Sequence, residues 1–419
     1  MTIVSMPSVS SRGNSRGWLA RFTDARNGVA FFNVALSLGY LITPVLVIWL
    51  GGGGEYYSKI IWICASAIFF VWLGSRLEFL DRVIRGQNLR LNSSIRLVII
   101  SVWLFFFLFV IVAWVTAEGI PLLVALSGAD ADTVAILREK FLKAREGWQS
   151  SFVYINAILT GALVPYSIAL MFVSKHRLRW VCLGFFLLFS VSFVEKAFFL
   201  KALLPVLILV AQQDVRLPLS PSSIAFLILL VLGFVTFLSG AGTQELASEA
   251  DFFSAQYQPQ GAVSHLIWRG LAIPLVTAAD SIRVFTENFD DHFLWGRTSG
   301  LIAMIVGSER VEFERLVFSA QWGQNETGTG SANSVYFVEA YVNWGWIGVA
   351  LSSLFAGIAF RFFAKSPDPA FRALWPLWAF GLYTSGLIGM LLSNGFVLLF
   401  GVCAFVRLKD LNSRATASI

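Results

Sequence analysis

The hydrophobic residues of this chain are grouped into long runs separated by shorter polar segments. Ten of these runs, folded as helices, are long enough to cross the hydrocarbon of a membrane. They cover residues 29–50, 58–75, 95–117, 151–173, 179–194, 197–212, 222–239, 334–360, 371–390 and 394–407. We therefore predict an all-α, polytopic integral membrane protein. The expected number of transmembrane helices is about ten, within a range of about ten to twelve.

Composition agrees with this prediction and excludes several classes of function. Of the 419 residues, 57% are hydrophobic and only 13% are charged, which is far from the composition of soluble domains. The sequence has no phosphate-binding loop, no dinucleotide fingerprint and no cluster of metal-ligating residues, so we expect neither a cofactor nor a bound metal. An ATP-driven pump is therefore disfavoured.

The distribution of charge predicts the orientation of the helices. If both termini are cytoplasmic, the cytoplasmic segments hold 19 of the 31 Lys and Arg residues but only 6 of the 25 Asp and Glu residues. The short loops at 76–96, 175–179 and 361–372 are the most basic, as the positive-inside rule requires. The net charge of +6 thus reflects topology and gives no reason to expect nucleic acid as a partner.

This orientation divides the chain into five parts. They are a cytoplasmic tail (1–28), seven transmembrane helices (29–239) that include an outer segment at 118–150, a large outer loop (240–333), three further transmembrane helices (334–407) and a second cytoplasmic tail (408–419). Loops as long as the one at 240–333 are usually functional in compact proteins. We therefore expect this loop to carry the site.

The helix that follows the large loop begins with a polar face. At 100° per residue, the side chains of Asn333, Tyr336, Glu339 and Asn343 fall within about a third of the helix circumference. A face of this kind is unsuited to lipid, so it must be directed toward something else. His265, at the edge of an amphipathic segment of the loop, is a candidate proton acceptor.

Arginines in the large loop are candidates for binding phosphate. Arg269 and Arg283 are separated by close to four helical turns, so a continuous helix would place them on similar azimuths, although Pro274 lies between them. Arg297 follows. A guanidinium group can bind two phosphate oxygens and keeps its charge when partly desolvated. Contact with anionic lipid headgroups is the alternative interpretation of each arginine.

Lysines interrupt the apolar sequence at the fifth and sixth predicted spans. Glu195, Lys196 and Lys201 lie there, and an ionisable residue inside a span is costly enough to indicate a functional site. An exposed turn between two helices is the alternative.

Three segments resemble a known family. The pair Ala332–Asn333 and the following "VEAYVNWGWIGV", with its acid, its Tyr and its aromatic-Gly-x-x-Gly pattern, resemble the helix after the outer loop in bacterial O-antigen and exopolysaccharide repeat-unit polymerases (Wzy), which are related to the O-antigen ligase superfamily. "FVEKAFFLKALLPVLILV" and "WRGLAIPLVTAADSIRVF" resemble the basic helix and the arginine-containing loop of the same family. The likeness covers roughly residues 180–407.

The resemblance implies a glycosyltransferase of the integral-membrane C type. Such an enzyme joins oligosaccharides linked to undecaprenyl pyrophosphate at the periplasmic face of the bacterial inner membrane. It transfers the growing glycan to the nonreducing end of a new lipid-linked unit and releases undecaprenyl pyrophosphate. The partners implied are this lipid-linked oligosaccharide, membrane lipids and a chain-length regulator protein.

The resemblance also implies roles for individual residues. Fixed cations would stabilise the leaving pyrophosphate, a carboxylate or a histidine would accept the proton of the acceptor hydroxyl, and aromatic side chains would face the sugars. The assigned residues are, as catalytic groups, Glu339, His265 and Arg283 and, as substrate-binding groups, Arg269, Arg297, Lys196, Lys201, Asn333, Tyr336 and Tyr341.

Three other functions are compatible with the sequence. A noncatalytic assembly partner is one of them, and it would lose no activity with any single charge change. An O-antigen ligase is similar in sequence pattern, but the His that precedes the Asn in ligases is replaced here by Ala332. A flippase for lipid-linked glycans would use the same cations during transport. We expect a flippase to spread its charged residues through several spans, whereas in this chain they are concentrated in the outer segments, which favours an enzyme.

Overall fold

The computed structural model of the chain describes residues 18–52, 54–78, 91–129, 131–142, 145–192, 199–217, 220–238, 251–259, 261–323, 330–332 and 335–408. Most of these residues are helical. The helices are α1 (Trp18–Thr23), α2 (Gly28–Ser37), α3 (Thr43–Trp49), α4 (Glu55–Ser75), α5 (Ile95–Val115), α6 (Pro121–Leu126), α7 (Ala131–Leu142), α8 (Phe152–Ile158), α9 (Val164–Val173), α10 (Arg179–Ser192), α11 (Leu200–Ala211), α12 (Pro221–Leu238), α13 (Ala262–Ile267), α14 (Ile273–Phe289), α15 (Gly300–Val306), α16 (Phe313–Trp322), α17 (Tyr336–Lys365), α18 (Pro369–Arg372), α19 (Trp375–Thr384), α20 (Leu387–Leu391) and α21 (Phe396–Phe405).

Short irregular segments join or precede several of these helices. Three π-helical segments join consecutive helices at Leu38–Ile42, Leu159–Leu163 and Trp268–Ala272. Turns of 3₁₀ helix lie at Ala25–Asn27 and Gly147–Ser151. Two three-residue strands, β1 (Leu91–Ser93) and β2 (Val406–Leu408), pair in parallel.

Five helical runs in the described part of the chain are long and apolar enough to cross a membrane. They are Ala25–Trp49, Glu55–Ser75, Ile95–Val115, Gly147–Val173 and Tyr336–Lys365. The predicted helical membrane protein is therefore confirmed at this level. The other predicted spans form shorter helices, and the run at 371–390 is divided between α19 and α20. The number of about ten spans stays a prediction.

Helices α4 and α17 pack together through glycine. A Cβ atom at Gly74 would overlap the backbone of Leu354, and one at Gly357 would overlap the carbonyl oxygen of Val71. Because neither residue has a side chain, the two backbones approach more closely than larger residues would allow. Small residues at such contacts are characteristic of helix packing in membranes.

Described residues of the predicted cytoplasmic segments lie together at one end of the bundle. Arg361 donates a hydrogen bond of 2.9 Å to the carbonyl oxygen of Ser75, and Arg372 lies 3.4 Å from the carboxylate of Asp214. Strands β1 and β2 pair at this end as well, joining the start of α5 to the end of α21. We call this the basic end of the bundle, because described residues of the loops predicted to be cytoplasmic lie there.

Described residues of the two predicted outer segments lie at the other end. Lys59, near the start of α4, forms an ion pair of 3.0 Å with Asp291, just beyond α14. Arg145 is buried and donates hydrogen bonds to Thr116, to the carbonyl oxygen of Ala113 and to Gln149. These hydrogen bonds hold the segment after α7 against the end of α5. The assignment of these two ends to the two faces of the membrane stays a prediction.

Candidate functional site

Helix α17 is two helices that meet at a sharp turn. Gly345 lies inside it with φ 62° and ψ −149°, which are not helical values. The hydroxyls of Tyr336 and Ser353 are 3.1 Å apart, although a straight helix would separate these residues by about 26 Å. Phe32 contacts the rings of both Tyr336 and Phe360, at centroid distances of 6.2 and 5.1 Å. The chain therefore folds back at Gly345.

This finding corrects the prediction of one continuous membrane helix at 334–360. Residues 336–344 form a re-entrant half-helix that rises toward the loop end, and residues 346–365 return to the basic end. Polar residues on a half-helix are tolerated at membrane depth where the segment is buried in protein or lines a cavity. Of the polar face noted in the sequence, Tyr336, Glu339 and Asn343 belong to this half-helix.

The loop between α14 and α15 completes the turn at Gly345. The backbone N–H groups of Leu294 and Trp295 donate to the carbonyl oxygens of Val342 and Asn343, at 3.1 and 2.9 Å. These carbonyls lose their helical partners where the helix breaks, so the loop replaces the missing hydrogen bonds. The carbonyl oxygens at the helix break therefore have hydrogen-bond partners.

A hydrogen-bonded network connects this loop to Glu339. Asn343 is fully buried, accepts from the N–H of Gly296 at 2.9 Å, and donates to the carbonyl oxygen of Glu339 and to the hydroxyl of Thr298, both at 2.9 Å. Because the Thr298 hydroxyl accepts from Asn343, its own hydrogen is free to point at Glu339 Oε1, 3.4 Å away. The network orients the Glu339 carboxylate.

The carboxylate lines a cavity of about 550 Å³ at the loop end of the bundle, which we call the Glu339 cavity. Arg310 and Glu314 also line it, with 3.8 Å between Arg310 Nη2 and Glu314 Oε2, and Arg310 Nε donates to the carbonyl oxygen of Thr298 at 3.2 Å. The described residues that line it are Tyr154, Ile158, Thr298, Ser299, Gly300, Leu301, Arg310, Glu314, Glu339, Ser385, Gly386, Ile388, Gly389, Leu392, Ser393 and Asn394. Charged groups and small polar groups thus face apolar side chains across one cavity.

A second cavity of about 260 Å³ adjoins the first. Arg269 lines it together with Tyr40, Gln321, Ser331 and Tyr383. Tyr383 and Thr384 line this Arg269 cavity, while the next two residues, Ser385 and Gly386, line the Glu339 cavity. The chain from Tyr383 to Gly386, at the end of α19, therefore forms a common wall.

Irregular helices surround both cavities. The π-helical segments at Leu38–Ile42 and Trp268–Ala272 contain Tyr40 and Arg269. The third, at Leu159–Leu163, contains Gly161, at which a Cβ atom would lie 2.6 Å from the carbonyl oxygen of Asn394 in the wall of the Glu339 cavity. Single turns of π-helix are frequent at functional sites.

The three other cationic or basic candidates in the loop lie outside the linings of both cavities. Arg283 forms an ion pair with Asp280 at 2.9 Å. Burial raises the pKa of the Asp280 carboxyl, while hydrogen bonding to Gln321 and the charge of Arg283 oppose the shift. Arg297 donates to the carbonyl oxygen of Leu294 at 3.2 Å, and His265 is buried with its ring 5.8 Å from that of Trp268. These contacts favour structural roles.

The remaining candidates are distributed through the bundle. Tyr336 is buried against Ser353, and Tyr341 packs against Phe285 and Phe293 with the Lys59 ammonium 5.3 Å from its ring centroid. Neither tyrosine lines a cavity described above. Lys201 is partly buried in the first turn of α11. Lys196 and Asn333 lie outside the described residues.

Sequence reasoning missed Thr298, Arg310 and Glu314. They lie between 25 and 41 residues before Glu339 and share no periodicity with it. The spacing of Arg310 and Glu314, four residues apart, predicts an ordinary ion pair on a helix surface. Only the tertiary fold brings this pair to the carboxylate.

Gly386 provides a test of the position of Glu339. A Cβ atom there would overlap the Glu339 carboxylate, yet the backbone, with φ −68° and ψ 151°, suits any residue. We expect Gly386→Ala to displace the carboxylate and to lower the activity of the site on the order of 10²-fold, because small misplacements cost this much. The measurement is turnover at matched amounts of folded protein.

Gly389 supplies the matched control for this variant. It lines the same cavity three residues later, and a Cβ atom there would meet nothing within 4 Å. Gly389→Ala should therefore retain activity. Equal activities for the two variants would show that the position of the Glu339 carboxylate does not matter.

Comparison with known proteins gives no assignment. No family model, no curated protein and no solved structure matches this chain.

Proposed function

We propose that this protein is a polymerase of lipid-linked glycans, acting on oligosaccharides attached to undecaprenyl pyrophosphate. The observation that carries the proposal is the oriented carboxylate of Glu339 on a re-entrant half-helix, in a cavity that adjoins a second cavity lined by Arg269. A general base and a cation in adjoining spaces fit a transfer reaction with an anionic leaving group.

In the proposed reaction, Glu339 accepts the proton of a hydroxyl at the nonreducing end of the acceptor. The hydroxyl oxygen forms a bond to the anomeric carbon of the donor glycan. The bond between that carbon and the phosphate oxygen breaks, and undecaprenyl pyrophosphate leaves with the electron pair. No cofactor takes part in this scheme, since the donor supplies the leaving group.

Arg269 is the cation proposed to hold the pyrophosphate. In the part of the chain that the structure describes, no carboxylate lies within ion-pair distance of it, whereas Arg310 is engaged with Thr298 and Glu314. A guanidinium group without an acidic partner can bind a phosphate oxygen pair without first breaking an ion pair. Arg310 is assigned to positioning the Thr298 loop.

The membrane orientation is part of the proposal. The basic loops lie at the end of the bundle opposite the two cavities, so the positive-inside rule would place the cavities at the periplasmic face of the bacterial inner membrane. Lipid-linked units exported across the membrane would reach the site there.

The size profile of surface glycan and of lipid-linked intermediates, in cells with and without the gene, tests this function. A polymerase predicts loss of long chains while single repeats are still exported and attached. Long chains that remain on the lipid would indicate a ligase instead. Intermediates held at the cytoplasmic face would indicate a flippase, and an unchanged profile would contradict all three.

Replacing Arg269 should weaken transfer. We expect Arg269→Gln to lower kcat/KM for the lipid-linked donor on the order of 10²-fold, because one donor to the developing charge is lost. Arg315→Gln is the control, since Arg315 forms an exposed ion pair of 2.7 Å with Glu312, which contributes little. Equal kcat/KM values for the two variants would remove Arg269 from the mechanism.

A further inference from the structure

An apolar groove continues from the Arg269 cavity along the bundle. It lies between α2 and α19, has a volume of about 330 Å³, and is lined by residues that include Phe31, Ala35, Trp375, Ala379 and Phe380. Tyr383 lines the groove and the Arg269 cavity as well. The cationic space and the apolar space therefore share a wall.

The groove contains few polar groups to bind a sugar or an ion. The indole N–H of Trp375 donates to the carbonyl oxygen of Thr23 at 3.0 Å, so it is already used. Phe380 lines the groove and is 52% exposed, so the groove lies at the side of the bundle. A hydrocarbon chain is the ligand that such a surface fits.

The depth of the Arg269 cavity distinguishes it from a site of ordinary contact with bilayer lipid. Tyr40 lines the Arg269 cavity and lies nine residues before the end of the apolar run Ala25–Trp49, which corresponds to about 13 Å below that end. A bilayer phospholipid keeps its phosphate at the membrane surface. The cavity that Arg269 lines reaches the depth of Tyr40, so a phosphate bound in its inner part would lie below that surface.

We infer that the groove between α2 and α19 binds the polyprenyl chain of the donor lipid while Arg269 binds its pyrophosphate. This inference rests on the proposed function for the identity of the lipid. The charge of Arg269 complements an anionic headgroup, and the apolar lining of the groove fits a long hydrocarbon chain. Together they select an anionic lipid with such a chain. The donor glycan would then extend past the Tyr383–Gly386 wall toward Glu339.

Photocrosslinking to a probe tests the inference. The full-length protein is placed in phosphatidylcholine nanodiscs with a polyprenyl pyrophosphate that carries a diazirine in its chain, and crosslinked peptides are mapped by mass spectrometry. We expect crosslinks on α2 and α19. Ala35→Trp, which fills the groove, should weaken binding of the probe at least 10-fold, and Ala379→Leu is a second, smaller obstruction.

Val34→Trp is the matched control, because Val34 is the neighbouring residue, is 55% exposed and does not line the groove. It should bind the probe as the wild type does. Crosslinks elsewhere, unchanged binding by both groove variants, or equal competition by added phosphatidylcholine would each overturn the inference.

The outcomes separate this inference from the proposed function. In one outcome the wild type transfers glycan, but Ala35→Trp and Ala379→Leu bind the probe as well as the wild type does. This outcome would support the proposed function and contradict the role of the groove. Probe binding in the groove without any glycan transfer would retain the groove and remove the polymerase function.

Discussion

Replacing Glu339 by Gln should lower glycan transfer by about 10²- to 10⁴-fold, the usual contribution of a general base. The amide has nearly the same shape, and its oxygen can still accept from Thr298, which lies 3.4 Å from Glu339 Oε1. The variant should therefore fold normally but fail to accept the proton of the acceptor hydroxyl. The measurement is the rate of chain elongation by equal amounts of purified protein.

A second carboxylate shows whether this loss is specific. Glu312 pairs with Arg315 on the surface and lines neither cavity, so Glu312→Gln should elongate chains at the wild-type rate. If Glu339→Gln retained a similar rate, the carboxylate would have no part in proton transfer. His265 would then become the next candidate to test.

Replacing Gly345 by Ala should strongly destabilise the protein. The backbone at φ 62° and ψ −149° is close to a region reserved for glycine, with a cost of about 1–3 kcal/mol for other residues. The added Cβ atom would also lie 2.6 Å from Cζ of Phe293, which adds about 1–3 kcal/mol of overpacking. We expect a lower apparent Tm and loss of activity.

Gly307 separates backbone strain from the clash. It also has positive φ, at 70°, but a Cβ atom there would meet nothing within 4 Å. Gly307→Ala should cost only about 1–2 kcal/mol, the penalty of the left-handed conformation. Equal changes in apparent Tm for both variants would mean that the contact with Phe293 adds no cost at Gly345.

Five helical runs long enough to cross a membrane could be predicted from the sequence because their apolar runs are local features. The aromatic-Gly-x-x-Gly pattern was also visible, but its structural reason was not. A Cβ atom at Gly345 would strike Phe293, and one at Gly348 would overlap the carbonyl oxygen of Ala340. Both contacts depend on the chain folding back, which hydropathy does not reveal because both halves of the run are apolar.

The arrangement of the loop arginines shows why the site was only partly predictable. A continuous helix would give Arg269 and Arg283 similar azimuths. The π-helical segment Trp268–Ala272 accommodates an extra residue between them, which rotates the later part by about 100°. Arg269 lines a cavity, whereas Arg283 pairs with Asp280 outside it. One local irregularity thus separates two residues that the sequence groups together.

The most direct test of the proposed function is elongation by the purified protein in liposomes. The liposomes contain undecaprenyl-pyrophosphate-linked oligosaccharide with a radiolabelled glycan, and the products are analysed for chain length and for released undecaprenyl pyrophosphate. We predict longer chains, one undecaprenyl pyrophosphate released for each bond formed, and both products formed about 10²- to 10⁴-fold more slowly with Glu339→Gln. Movement of the labelled lipid across the bilayer, with no change in chain length and no pyrophosphate released, would contradict the proposal.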